Sequence, residues 1–199
     1  MANKTKPSVR RVRRPSKAKA VKKTTENIAK KRVSVLKPVI TCYTDGSYYG
    51  GMGTGGYCAY LECYGRSLII SGHESPTTNN RMELRAVLEA LKAIETPCVF
   101  IIHSDSMYVV DTINNNRVQL WANSGWKRDG MDIKNADLWK EILQLLKKHT
   151  VYMKWVKGHA GIPGNELCDE VSRIENDLLC SHRLNDLLQI HPIPDNKSI

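Results

Sequence analysis

From residue 39 onward the period of apolar and polar positions changes several times, and each change marks a new element. VITCYTDGS is an apolar-rich run ending in a turn and predicts a first strand. GGYCAYLECYG and RSLIISGH predict two more, with a Gly-Arg step between them that suits a hairpin. In NNRMELRAVLEALKAIE, the residues Met82, Val87, Leu88, Leu91 and Ile94 recur at roughly helical spacing, and Asn79 or Asn80 can cap the helix. CVFIIHSD is a short apolar run bounded by turn residues and reads as a buried strand; SMYVVDTINNN reads as a short helix. RVQLWANSGWKRDGMDIKN is polar and irregular, with Trp121 and Trp126 among loop residues. ADLWKEILQLLKKH has the pattern of an amphipathic helix. VYMKWVKG sets Val151, Met153 and Trp155 against Tyr152, Lys154 and Val156, as a strand would. GNELCDEVSRIENDLL predicts a closing helix that reaches Cys180 or beyond. The order β-β-β-α-β-α-α-β-α, a meander followed by strands alternating with helices, implies an α/β protein with helices on a mixed sheet.

Before residue 39 the pattern disappears. Residues 1–38 hold 14 Lys and Arg against the single acid Glu26, a net charge of +13, and contain no aromatic residue. Such a segment cannot bury enough apolar surface to fold alone. Residues 39–199 carry 16 Lys and Arg against 19 acids, so the overall charge of +10 belongs entirely to the arm. A basic arm on a slightly acidic domain points to a polyanion partner, above all nucleic acid, held with salt-dependent affinity.

The chain of 199 residues is long enough to bury a real core, which suggests one domain with appendages. The expected organisation is a basic arm over 1–38, a folded domain over 39–180 and an extension over 181–199. No run of about 18 apolar residues is present, so no membrane span and no membrane partner is expected. The N-terminus lacks the apolar centre of a secretory signal. The six cysteines show neither a CxxC pair nor zinc spacing, and four lie in strand-like stretches where a thiol acts as a small core residue. These features suggest a reducing compartment and a cytoplasmic location. An Arg-rich, acid-poor arm would also suit a mitochondrial presequence, although its apolar face is thin.

The positions of four acids relative to element ends carry the chemistry. Asp45 ends the first strand in YTDGS, Glu83 lies one turn into the first helix, Asp105 follows the fourth strand in IIHSDS, and Asp169 lies inside the last helix. Strand ends and helix starts meet at one edge of an α/β sheet, so these side chains can converge. Taken singly, each is as well explained as a turn former or a dipole-favoured acid. Together they would repel and raise their own pKa values unless a cation joined them, and hard cations such as Mg²⁺ take carboxylate oxygens.

YTDGS, TTNNRMEL, HSDS and WVKGHAGIPGNELCDE, in this order and spacing, resemble the motifs of type 1 ribonuclease H, the family of bacterial and phage-like ribonuclease HI catalytic domains. The resemblance covers residues 40–175. It implies a ribonuclease H-like fold, a five-stranded mixed sheet of antiparallel meander plus parallel strands flanked by helices. It implies an endonuclease that hydrolyses the RNA strand of RNA–DNA hybrids with two Mg²⁺ ions, Mn²⁺ being able to substitute, and leaves 5′-phosphate and 3′-OH ends. Asp45, Glu83, Asp105 and Asp169 match the family's metal-binding carboxylates, and His159 its mobile-loop histidine, which assists proton transfer or product departure. Asn79 and Asn80 match the residues that read the RNA strand in the minor groove, where the 2′-OH separates RNA from DNA. Gly46 lies in the turn that brings backbone close to that strand. Thr78 and Asn135 match positions holding a DNA-strand phosphate, and Trp126 with Lys127 stands where the family has a basic, DNA-gripping protrusion. Trp121 and Trp139 are expected to be packing residues, and the protein to be a monomer.

Three departures weaken the expected hold on a hybrid. YYGGMGTGG lacks the Asn-Pro pair usual after the first aspartate, Pro76 stands where an arginine is often found, and ANSG precedes Trp126 where basic residues are usual. The arm is the natural source of the missing affinity.

Overall fold

Strands β1 (Val39–Tyr49), β2 (Thr54–Cys63) and β3 (Arg66–Glu74) pair antiparallel in a meander. The β2–β3 hairpin turns on Tyr64 and Gly65, both at positive φ (50° and 73°), as a tight two-residue hairpin requires. Strand β4 (Val99–Ser104) then joins β1 in parallel, and β7 (Thr150–Trp155) joins β4 in parallel. The result is one five-stranded sheet of order β3-β2-β1-β4-β7. A separate two-stranded ribbon pairs β5 (Lys127–Arg128) with β6 (Met131–Asp132). The structure, a computed structural model, describes residues 37–190, with side chains described through Ser181. Residues 1–36 of the expected arm and residues 191–199 lie outside the described residues.

Helices α1 (Asn79–Lys92), α2 (Met107–Asn114), α3 (Arg117–Asn123) and α4 (Ala136–Lys148) share a core with one face of the sheet. Ile40, Cys42, Ala59, Leu61, Phe100 and Ile102 supply its floor, and Leu84, Leu88, Leu91, Leu138 and Ile142 its roof. These residues occupy alternate strand positions and i, i+3, i+4 helical positions, which is why the periodicity marked them. The long helix α5 (Pro163–Ile190) lies across β1 and β2 and runs through Cys180 without a break. It approaches so closely that a side chain at Gly164 would collide with the Tyr43 ring, and one at Gly56 with the helix backbone at Ser172 and Asn176.

The structure differs from the sequence reading at three places. The cap of α1 is Thr78, whose hydroxyl accepts from the Arg81 N–H, and not Asn79 or Asn80, which open the helix itself. The segment after Asn116, read as irregular, contains helix α3 and the β5–β6 ribbon. Val118 and Trp121 give that short helix just enough apolar surface to dock, Trp121 lying edge-on to the buried Trp139. Strand β1 does not end at Asp45 with Gly46 in a turn, as read from the sequence, but continues to Tyr49, because residues 45–49 keep their pairing with β2.

All six cysteines are free. Among the described residues no helix is long and apolar enough to cross a membrane.

Candidate active site

Three of the four acids meet where β4 ends beside the middle of β1. Among the described residues, Asp45, Glu83 and Asp105 form a group whose ligand oxygens lie within 4.8 Å of one another. Asp45 comes from β1, Glu83 from the second turn of α1, and Asp105 from the residue directly after β4. The parallel β1–β4 pairing runs in register to Tyr43 and His103, which sets Asp45 and Asp105, each two residues on, side by side. Gly46 lets α1 in: a Cβ there would meet the backbone at Met82 and Glu83. That crowding is a structural reason for glycine at position 46, independent of any contact with RNA.

An ion network fixes the start of α1. Arg81 donates two hydrogen bonds to Asp137 of α4 (3.0 and 2.8 Å) and one to Glu74 of β3 (3.2 Å), and Arg85 also donates to Glu74 (2.7 Å). Asn79, Asn80 and Glu83 are thereby held relative to the sheet edge and to α4.

The acids are close and poorly neutralised. Burial, then the charge of Asp105, pushes the Asp45 carboxyl up to about 7, against the pull of a 2.8 Å hydrogen bond from the Gly46 N–H. Burial, then the charges of Asp45 and Asp105, raises Glu83 well above the usual carboxylate range. Its Oε2 is buried without a hydrogen-bond partner. A set of hard oxygen donors with uncompensated charge and a free buried lone pair fits a divalent cation such as Mg²⁺.

Asp169 stands beside this group. Its Oδ2 accepts a 2.6 Å hydrogen bond from Arg173 and faces His159 Nδ1 at 3.6 Å. His159 sits at φ 51° in an exposed turn. All four acids and His159 line one open cleft of about 420 Å³, together with Gly46, Asn79 and Arg173. Asn80 is exposed one residue further along α1.

The remaining expected substrate contacts lie elsewhere in the sequence. Thr78 and Asn135 precede α1 and α4, with the Asn135 backbone left-handed (φ 59°) and its side chain free of capping duty. Trp126, also left-handed at φ 62°, packs partly on the core beneath Lys140, whose Nζ lies 5.6 Å from its ring centre. Lys127 is exposed on the ribbon.

Several cleft residues escaped sequence reasoning. Tyr48 and Tyr49 form part of the wall where the Asn-Pro pair is missing, and Arg173, Asn176 and Asp177 contribute from α5. Arg173 was legible in principle, since a cation four residues after Asp169 on a helix reaches the same face. Nothing in local sequence marked Tyr48 or Tyr49.

Comparisons with known proteins agree with this geometry. Residues 37–176 match the RNase H family model. The chain is 44% identical over 137 residues to a ribonuclease H of Nitratidesulfovibrio vulgaris, covering 68% of this chain and 88% of that one. It is 47% identical over 136 residues to a ribonuclease H of a Sulfurovum species, covering 68% and 89%. A solved structure described as LC9-RNase H1, a type 1 RNase H with the type 2 active-site motif, superposes with a TM-score of 0.64 at 34% identity, covering 72% of this chain and 74% of that one. With its mixed sheet, its converging acids and these relatives, the chain belongs to the ribonuclease H family.

Proposed function

We propose that this ribonuclease H hydrolyses the RNA strand of RNA–DNA hybrids endonucleolytically, with Asp45, Glu83, Asp105 and Asp169 holding two Mg²⁺ ions, and leaves 5′-phosphate and 3′-OH ends. The observation that carries the reading is the convergence of Asp45, Glu83 and Asp105 oxygens within 4.8 Å around a buried, unpartnered Glu83 oxygen. Mn²⁺ suits the same oxygen donors. When bound, such cations supply positive charge at the scissile phosphate and so lower the barrier to in-line displacement.

The chain's own groups do the rest. Asp45, held by the Gly46 N–H, and Glu83, anchored on α1, present carboxyl oxygens at the cleft floor. The openness of the cleft suits a double-stranded substrate rather than an enclosed small molecule. Asn79 and Asn80, exposed at the start of α1, suit hydrogen bonds to the RNA strand and its 2′-OH groups. Thr78, Asn135, Trp126 and Lys127 suit the DNA strand, Lys127 as a point charge toward phosphate. His159, exposed in the turn beside Asp169, suits proton transfer to the leaving oxygen or help with product departure.

The test is cleavage of end-labelled RNA paired with DNA, paired with RNA, and single-stranded, each with Mg²⁺ and with EDTA. Metal-dependent cutting of the hybrid alone, abolished by Asp105→Asn with hybrid binding retained, is the expected result. Tight hybrid binding without cutting would instead mark a catalytically silent binding protein, a reading that the unneutralised acid cluster disfavours. Residual activity of Asp105→Asn within a few-fold of the parent would contradict the metal role.

A further inference from the structure

Asp169 is the one member of the acid set that already has a cation. Arg173, one turn further along α5, donates from Nη2 to Asp169 Oδ2 at 2.6 Å and from Nε to the Asp169 backbone carbonyl at 3.3 Å. His159 Nδ1 faces the same Oδ2 at 3.6 Å. The oxygens of Asp45, Glu83 and Asp105 form a group without Asp169, although all four line the same cleft as Arg173. The guanidinium is near enough to oppose the rise of the Asp45 carboxyl.

We infer that Arg173 is a resident counter-cation of the cleft, which occupies Asp169 Oδ2 in the absence of a divalent ion and must let go for one to be held on the Asp169 side. The inference rests on the reading of Asp169 as a metal-holding residue. Three observations make the exchange physically reasonable. The Arg173 side chain is 60% exposed, so it can swing into water at little cost. An ion pair with one partner largely in solvent is weak, because water and salt screen it. The oxygen that it covers is also the one that faces His159, toward the cleft.

The arrangement has a consequence for order. On the Asp45, Glu83 and Asp105 side no basic side chain pairs with these acids among the described ion pairs, so a divalent ion there displaces no protein cation. On the Asp169 side it must first replace Arg173. The two uptake steps should therefore differ in affinity, and Arg173 should set part of the difference. Until the exchange, Arg173 lessens the repulsion between Asp169 and Asp45. Arg173 is in this sense a positioning residue, acting through Asp169 and the ion that replaces it.

The probe is Mn²⁺, with free ion counted by electron paramagnetic resonance during titration of the full chain at low ionic strength. The proteins are the parent, Arg173→Gln, Arg173→Lys and Asp45→Asn, with melting temperatures in EDTA confirming that each is folded. In the parent, two classes of site are expected. In Arg173→Gln the weaker class should tighten about fivefold, equivalent to ~1 kcal/mol, and the EDTA melting temperature should fall. Arg173→Lys, which keeps the charge, should stay near the parent in Mn²⁺ affinity. Mn²⁺ affinity in Arg173→Gln that is unchanged within twofold, or weakened, overturns the inference while leaving the metal reading intact. A parent protein that takes up no Mn²⁺, or an Asp45→Asn protein that binds it as the parent does, overturns the metal reading and the inference with it.

Discussion

Trp155, the last residue of β7, donates its indole N–H to the backbone carbonyl of Asp105 at 3.1 Å. One sheet-edge strand therefore holds the residue that leaves its neighbour, β4. Three residues on, Gly158 passes so close to Asp105 that a Cβ would lie 2.6 Å from Oδ2. An indole and a side-chain-free stretch of backbone thus both lie against Asp105.

Trp155→Phe keeps an aromatic ring, smaller than the indole, and deletes the donor. A single hydrogen bond is worth about 1 kcal/mol in stability, but a small displacement of a reacting centre can cost far more in rate. The expected result is a fall in kcat of roughly tenfold, with KM for hybrid little changed and the melting temperature lowered only slightly. Steady-state cleavage assays beside thermal melts check this; a KM effect alone would assign Trp155 to substrate contact instead.

Asp45 makes metal-free stability depend on pH. Its folded-state pKa, raised to about 7 from the ordinary 3.8, means that the folded protein keeps a proton which the unfolded chain has already lost. Stability from this group is present below the unfolded pKa and is lost as pH rises through the folded one. Glu83 shifts in the same direction. Asp137, held low by Arg81, and Glu175, held low by Ser71, contribute in the opposite sense, losing stability as pH falls. Comparing Asp45→Asn with the parent cancels those shared contributions. In EDTA, the variant's advantage in melting temperature should grow from pH 5 to pH 8; a difference flat with pH would count against the buried, repelled carboxylate.

Gly56→Ala tests how α5 is seated. A Cβ at Gly56 would run into the Ser172 carbonyl and the Asn176 N–H of the helix backbone, neither of which is a flexible side-chain end. Helix and sheet must separate to admit it, at a cost of about 1–3 kcal/mol. Because α5 also carries Asp169 and Arg173, the same substitution should weaken cleavage beyond what unfolding explains. Urea denaturation gives the first quantity, and activity at a temperature where both proteins are folded gives the second.

The sheet and every helix except α3 were legible because each depends on a local period. Cys42, Leu84 and Phe100 are buried where alternation and helical spacing put them. Helix α3 was hidden because seven residues carry too little pattern: its one fully buried residue is Val118. The cap on α1 was misassigned because Thr78, Asn79 and Asn80 are all competent caps, and only backbone geometry, extended at Thr78, decides among them. The end of β1 was set at Asp45 because YTDGS has the residues of a turn, and only the pairing with β2 carries the strand on to Tyr49. The pairing of Asp169 with Arg173 is local in sequence, but its meaning depends on a cleft assembled from β1, α1 and β4, which no local window contains.

The distribution of charge leads to the last prediction. Residues 39–199 are net −3, and the cleft concentrates acids at its floor, so the folded part on its own offers a polyanion little attraction. After Asp45, β1 ends in Tyr48 and Tyr49 and leads into glycines rather than an Asn-Pro pair, and Pro76 supplies no cation before Thr78. Residues 1–38, at +13, hold the compensating charge. We propose that this arm supplies hybrid affinity by neutralising phosphates and releasing counterions, a contribution that falls steeply with salt. Removing residues 1–36 should raise KM at moderate salt, flatten the dependence of log KM on log salt, and leave kcat nearly unchanged, because the described cleft residues all remain. The measurement is KM for one hybrid across about 50–200 mM salt for the full and shortened chains. An unchanged KM in the shortened chain would mean that the folded part binds hybrid by itself, and that the arm serves another polyanion.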